Sequence, residues 1–190
     1  MAEQDNRDHI RKIKVDLQDL EDAFDGDSWF VRYYLDLETG EVIWTTEEVR
    51  NEWEKISRRA AGSEPEGGTG TNAAIGEAPQ RSGLPTWMKE AVEEADRIET
   101  GLGIRYLEIP PTESRDRYQD MEDFIATVQD GHKRDRLFDA IRGRGAFRRF
   151  RDVVGRYPDI EERWYQFKRA RAAHRALEWL ESEGIAPACE

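Results

Sequence analysis

With 190 residues, the chain is long enough for one ordinary domain or two small ones with a real hydrophobic core. Hydrophobic and charged residues each contribute 37%, yet the 10% of aromatics, six of them Trp, exclude a wholly disordered chain. A net charge of −12 repels nucleic acid and anionic membrane at long range, so such a partner would need a local basic patch. The single cysteine, Cys189, excludes an intrachain disulfide. Residues 1–14 form a charged lead-in without the apolar core of a secretory signal, and no stretch nears the roughly 18 apolar residues of a membrane span. A cytoplasmic protein with no membrane association is expected.

After this lead-in, Val15, Leu17, Leu20, Ala23 and Phe24 recur at helical spacing among Asp16, Asp19, Glu21, Asp22 and Asp25. This predicts a short acidic helix, and the acidic run 16–27 is a candidate surface for a basic protein partner. Trp29–Leu37 then alternates, and Glu38-Thr39-Gly40 precedes a second run ending at Thr45, which predicts a β-hairpin turning at Gly40. Thr46 is placed to cap a helix running to about Ala60, with Glu47 and Glu48 in its first turn. Residues 61–85 hold six Gly and three Pro with almost no large apolar side chain, and are expected to form a flexible insert. A helix over Trp87–Ile98 follows, and residues 104–109 read as a strand before Pro110-Pro111. An isolated hairpin is marginal in water, so this strand should complete a three-stranded antiparallel sheet with it.

The remainder reads as helical. Ser114 is placed to cap a helix whose buried stripe is Tyr118, Met121, Ile125 and Val128, with Asp120, Glu122 and Asp123 on other faces. Two short helices follow, over 136–142 and 146–154, turning at Gly143 and Gly145. Asp159 and Glu162 have the spacing of a capping box for a long helix with the stripe Ile160, Trp164, Phe167, Arg171, His174, Leu177 and Glu181, ending at Gly184. The expected class is α+β: a three-stranded sheet with six to seven helices and an all-helical C-terminal half. The expected domain is single, 15–186, interrupted by the insert and followed by a frayed end at 187–190.

Few residues mark chemistry. His9, His132 and His174 are far apart, and His174 with Glu178 one turn on makes only half a metal site. Asp25-Gly26-Asp27 opens like a calcium loop, but Trp29 and Phe30 stand where an oxygen ligand and a glycine belong. Tyr33-Tyr34, Asp36, Thr39 and Trp44 resemble the second half of a WW domain, whose opening half has no counterpart here. No metal site and no cofactor are expected.

The local anomaly is the segment 132–151, with eight basic residues against two acidic ones, a local charge of +6. At its centre, Arg142, Gly143, Arg144, Gly145, Arg148 and Arg149 surround a helix start whose free amides could receive an anion. This makes a candidate cradle for a phosphate-bearing ligand or nucleic acid. Two other readings stand beside it: a helix–helix turn with Phe147 and Phe150 packed inward and the arginines paired internally, or a protein-partner surface.

Asp19–Phe24, Tyr33–Val42, Tyr106–Pro110, Met121–Ile125, Gly143–Phe150, Trp164–Phe167 and Ala176–Leu180 together resemble the bacterial uncharacterised protein family UPF0158. The resemblance spans about 15–55 and 104–186 and implies no activity. The resulting expectation is a non-enzymatic binding or regulatory module that uses the arginine turn, the acidic helix, or both. The alternative is an enzyme acting on a phosphate-bearing small molecule, with Arg142, Arg144, Arg148 and Arg149 clamping the anion and Glu122 or Asp123 as base.

Overall fold

A computed structural model describes residues 11–26, 30–61 and 83–188. In chain order the elements are β1 (Arg11–Ile13), α1 (Leu17–Asp25), β2 (Val31–Asp36), β3 (Val42–Thr46), α2 (Glu47–Ala61) and α3 (Thr86–Thr100). They continue with β4 (Tyr106–Ile109), α4 (Ser114–Ala126), α5 (Gly131–Ile141), α6 (Ala146–Val154), α7 (Pro158–Ser182) and β5 (Ile185–Pro187). The chain divides into two compact units. One comprises Ile13–Val15 and Asp27–Pro110; the other takes the N-terminal residues through Lys12, Asp16–Gly26 and Pro111–Glu190. Most of the expected insert, and Trp29, Asp27 and Cys189, lie outside the described residues.

The first unit is built on the antiparallel sheet β3-β2-β4, the arrangement expected from the isolated strand. Tyr33 lies opposite Trp44 on β3 and Ile109 on β4. Gly40 turns the hairpin with φ +79°, and a Cβ there would meet the Lys14 carbonyl oxygen at 1.9 Å, so both backbone conformation and space require glycine. Asp36, at the end of β2, is buried and accepts from the Glu38 amide at 2.8 Å and from Arg105 Nη2 at 2.7 Å. β4 starts two residues later than expected. The amides of Ile104, Arg105 and Tyr106 all converge on the Gly101 carbonyl at 2.9–3.1 Å, a tight turn that draws the Ile104 and Arg105 amides away from the ladder, while the Arg105 carbonyl still accepts from the Leu37 amide at 2.7 Å. Thr46 caps α2 as expected, its Oγ1 accepting from the Val49 amide at 3.3 Å. Buried Val49 and Ile56 of α2 pack with Met88, Val92 and Ala95 of α3, and Trp53 Nε1 donates to Asp96 at 3.0 Å. Tyr34, Ile98 and Tyr106 form a further buried cluster.

The second unit is helical, so the fold class is α+β. Asp16 caps α1 by accepting from the amides of Gln18 and Asp19 at 2.9 and 3.4 Å. α1 lies along α7, where Phe24 and Trp179 meet edge to face at 6.1 Å between ring centres. The core formed by α4–α7 centres on Phe124 and Phe150 with Trp164, at 5.1 Å for Phe124–Trp164 and 4.9 Å for Phe150–Trp164. Edge-on packing of this kind suits the ring quadrupoles.

Several local expectations are corrected here. Ser114 is the first helical residue of α4, with Glu113 at the cap position and no side-chain cap bond. Asp159 makes no capping box, because Pro158 occupies the first position of α7 and moves the cap to Tyr157; the Asp159 carboxylate pairs with Lys133 at 2.8 Å instead. Phe150 is buried, but Phe147 is 46% exposed. The stripe read for α7 holds for Ile160, Trp164 and Phe167 and fails further on: Ala172, Ala176, Trp179 and Leu180 are buried, while His174 and Leu177 are exposed. The unforeseen β1 and β5 form a two-stranded sheet, next to which the Arg11 amide donates to the Gly184 carbonyl at 2.9 Å.

Candidate functional site

The arginine-rich turn joins α5 to α6. Gly143 and Gly145 adopt φ +70° and +83°, left-handed conformations that reverse the chain between two short helices. Both helices pack apolar residues into the core, Leu137 and Ile141 from α5 and Ala146, Phe150 and Val154 from α6. The polar residues between these positions are thereby left outside.

The arginines of this turn divide into two kinds. Arg149 donates from Nε to the Ala140 carbonyl at 3.0 Å, and its Nη atoms reach the carbonyls of Arg142, Gly143 and Arg144. A guanidinium therefore caps the C-terminal end of α5, where unpaired carbonyls concentrate negative potential. Tyr118 of α4 adds a bond from its hydroxyl to the Ile141 carbonyl at 3.1 Å. The remaining arginines stand outward. Arg148 is 84% exposed and meets Asp152 only at 3.9 Å; Arg142 is 67% exposed and meets Asp139 at 3.3 Å. Pairs this exposed contribute about 0–1 kcal/mol and leave the cations accessible to another anion. Arg144 and Arg151 are exposed and have no ion-pair partner among the described residues.

Gly145 occupies the cap position of α6 with no side-chain cap bond, and the first main-chain bond there runs from the Arg149 amide to the Gly145 carbonyl at 3.2 Å. The positive end of α6 therefore adds to the field of the outward arginines. Two exposed rings flank the turn. Phe138, one helical turn before Arg142, is 47% exposed and carries the Arg142 guanidinium 4.8 Å from its ring centre. Phe147 is the second residue of α6 and also exposed.

The acidic residues proposed as a base are placed otherwise. Asp123 is ion-paired with Arg171 of α7, and Glu122 is exposed. Asp120, expected on an outer face, is buried: Arg175 Nη2 reaches both its oxygens at 2.8 and 2.7 Å, and Arg171 Nε donates at 2.8 Å. These groups line a cleft of about 420 Å³ between α4 and α7 together with His174 and Glu178, which pair with each other at 3.0 Å. Asp120 is already engaged by both Arg171 and Arg175, so the cleft ties α4 to α7. Periodicity could not reveal Asp120, since a polar residue is buried only when its partners arrive from another helix. On acidic α1, Asp25 pairs with Lys168 at 2.8 Å, and Glu21 borders a groove of about 530 Å³ with Tyr165 and Arg169 of α7. Among the described residues no group of three or more potential metal ligands occurs, and no helix is long and apolar enough to cross a membrane.

Residues 87–190 match the model of the Uncharacterised protein family (UPF0158), a span that contains β4, α4–α7 and the whole arginine turn. A UPF0158 protein of Pseudomonas aeruginosa is 30% identical over 95 residues, covering 50% of this chain and 62% of that relative. The matching region is thus less than two thirds of the relative's length. No solved structure matches. The chain belongs to the UPF0158 family.

Proposed function

We propose that this UPF0158 member is a non-enzymatic cytoplasmic binding module that engages a phosphate-bearing polyanion through the turn between α5 and α6. The observation that carries the reading is the division of labour among adjacent arginines. Arg149 braces the turn through four carbonyls, while Arg142, Arg144, Arg148 and Arg151 remain exposed with weak pairing or none. A braced loop presenting four cations loses little entropy when an anion binds. Accessible guanidinium groups also match phosphate oxygens in a two-pronged geometry. The patch is local, which reconciles anion binding with a chain charge of −12.

The test is titration of the full chain with inorganic polyphosphate at low salt. Wild type should bind, and the variant Arg142→Gln, Arg144→Gln, Arg148→Gln should lose binding with an unchanged melting temperature. A folded wild type that leaves polyphosphate unbound under these conditions overturns the reading.

A further inference from the structure

We infer that the α5–α6 face takes single-stranded nucleic acid, stacking unpaired bases on Phe138 and Phe147 while its arginines hold the backbone phosphates. This deepens the polyanion reading and rests on it, but a separate observation carries it. Phe138 and Phe147 are 47% and 46% exposed, although both sit on short helices whose other apolar residues reach a common core. A ligand recognised by charge alone gives no use to two exposed rings. A ligand whose charges alternate with planar aromatic surfaces uses both.

The spacing supports this. Residues four apart share a helix face, so Phe138 lies one turn after Arg134 along α5, and Phe147 lies one turn before Arg151 on α6; Arg142, just past the end of α5, reaches back over the Phe138 ring. All three of these arginines are exposed. Each ring is thus accompanied by cations on its own face, the combination that lets single-strand binders follow a backbone and stack its bases regardless of sequence. The Arg142 guanidinium lies over the Phe138 ring, 4.8 Å from its centre, a cation–π contact beside which a base can stack. In a duplex the base faces are hidden, so the rings favour single strands. The carboxylates paired with Arg142 and Arg148, Asp139 and Asp152, sit in exposed pairs that a phosphate can displace.

Fluorescence anisotropy of a labelled oligothymidylate decides the matter, measured beside the same strand annealed to its complement and beside inorganic polyphosphate. The single strand should bind more tightly than the duplex. Phe138→Ala and Phe147→Ala should each weaken it roughly 5- to 150-fold, the range for loss of one stacked base. Phe147→Leu, which keeps the apolar bulk, should also weaken it, and neither alanine variant should alter polyphosphate binding. The logarithmic salt slope should fall in magnitude by about 0.7 for each phosphate-holding arginine replaced by glutamine. Equal affinity for both strand forms, or phenylalanine variants that bind the single strand like wild type, would overturn the stacking inference and leave the polyanion reading standing. Failure to bind both oligonucleotides and polyphosphate would overturn the two together.

Discussion

Arg149 directs its guanidinium at the carbonyls of Ala140, Arg142, Gly143 and Arg144, whereas its neighbour Arg148 is 84% exposed. Replacing the two should therefore have unlike effects. Arg149→Gln leaves several carbonyls at the end of α5 without a charged donor, a loss of about 1.5–3 kcal/mol for hydrogen bonds to a charged group. Arg148→Gln removes only a long, exposed pair and should stay within about 0.5 kcal/mol of wild type. Urea denaturation of the two variants checks this, and equal losses would contradict it. In the sequence these adjacent arginines read alike. The turn itself is legible, because Gly143 and Gly145 at the end of one apolar run and the start of another call for left-handed backbone. Which arginine faces the carbonyls is decided by the packing of α6, which buries Phe150 and leaves Phe147 outside.

At the scale of elements, a strand with no partner of its own makes the three-stranded sheet legible in the sequence, and the side chain that fixes its corner is Asp36. Burial pushes the Asp36 carboxyl up, but hydrogen bonds from Arg105 and from the Glu38 and Thr39 amides outweigh it and hold the group below the usual carboxylate range. A carboxyl depressed on folding contributes stability that is fully present above its unfolded pKa, about 3.8. That contribution is lost as pH falls through the lower, folded value. Asp36→Asn should accordingly cost about 1–3 kcal/mol at neutral pH, as hydrogen bonds to an ionised group are weakened. Its deficit relative to wild type should shrink as pH falls below about 4. Urea denaturation of both proteins across that range checks the sign, and a deficit that grows with acid would contradict it. The Arg105 partner could not be read from sequence, since it lies 69 residues from Asp36 and in a turn rather than in the strand expected there. α7 shows the same limit: its first half keeps the read stripe, but its second half turns Ala172, Ala176 and Trp179 inward. One helical period could not describe a helix whose burial follows two different sets of neighbours.

Over the whole molecule, 41 acidic and 29 basic side chains leave an excess of twelve negative charges, yet the segment 132–151 is positive. Salt should therefore act on stability and on binding with opposite sign. Self-repulsion of a chain this acidic opposes the compact state, and screening relieves it once the Debye length falls to about 10 Å near 0.1 M ionic strength and lower beyond. The exposed ion pairs that salt also weakens, such as Arg58–Glu54 and Arg148–Asp152, each contribute only about 0–1 kcal/mol. The melting temperature in sodium chloride should consequently rise between low and moderate salt. Polyanion affinity should fall over the same interval, because it depends on the local positive charge and on counterion release from the ligand. Thermal denaturation and polyphosphate titration on the same salt series measure both trends. A melting temperature that falls in parallel with affinity would mean that short-range pairs outweigh the net charge, and that the outward arginines are more firmly engaged with Asp139 and Asp152 than their exposure implies.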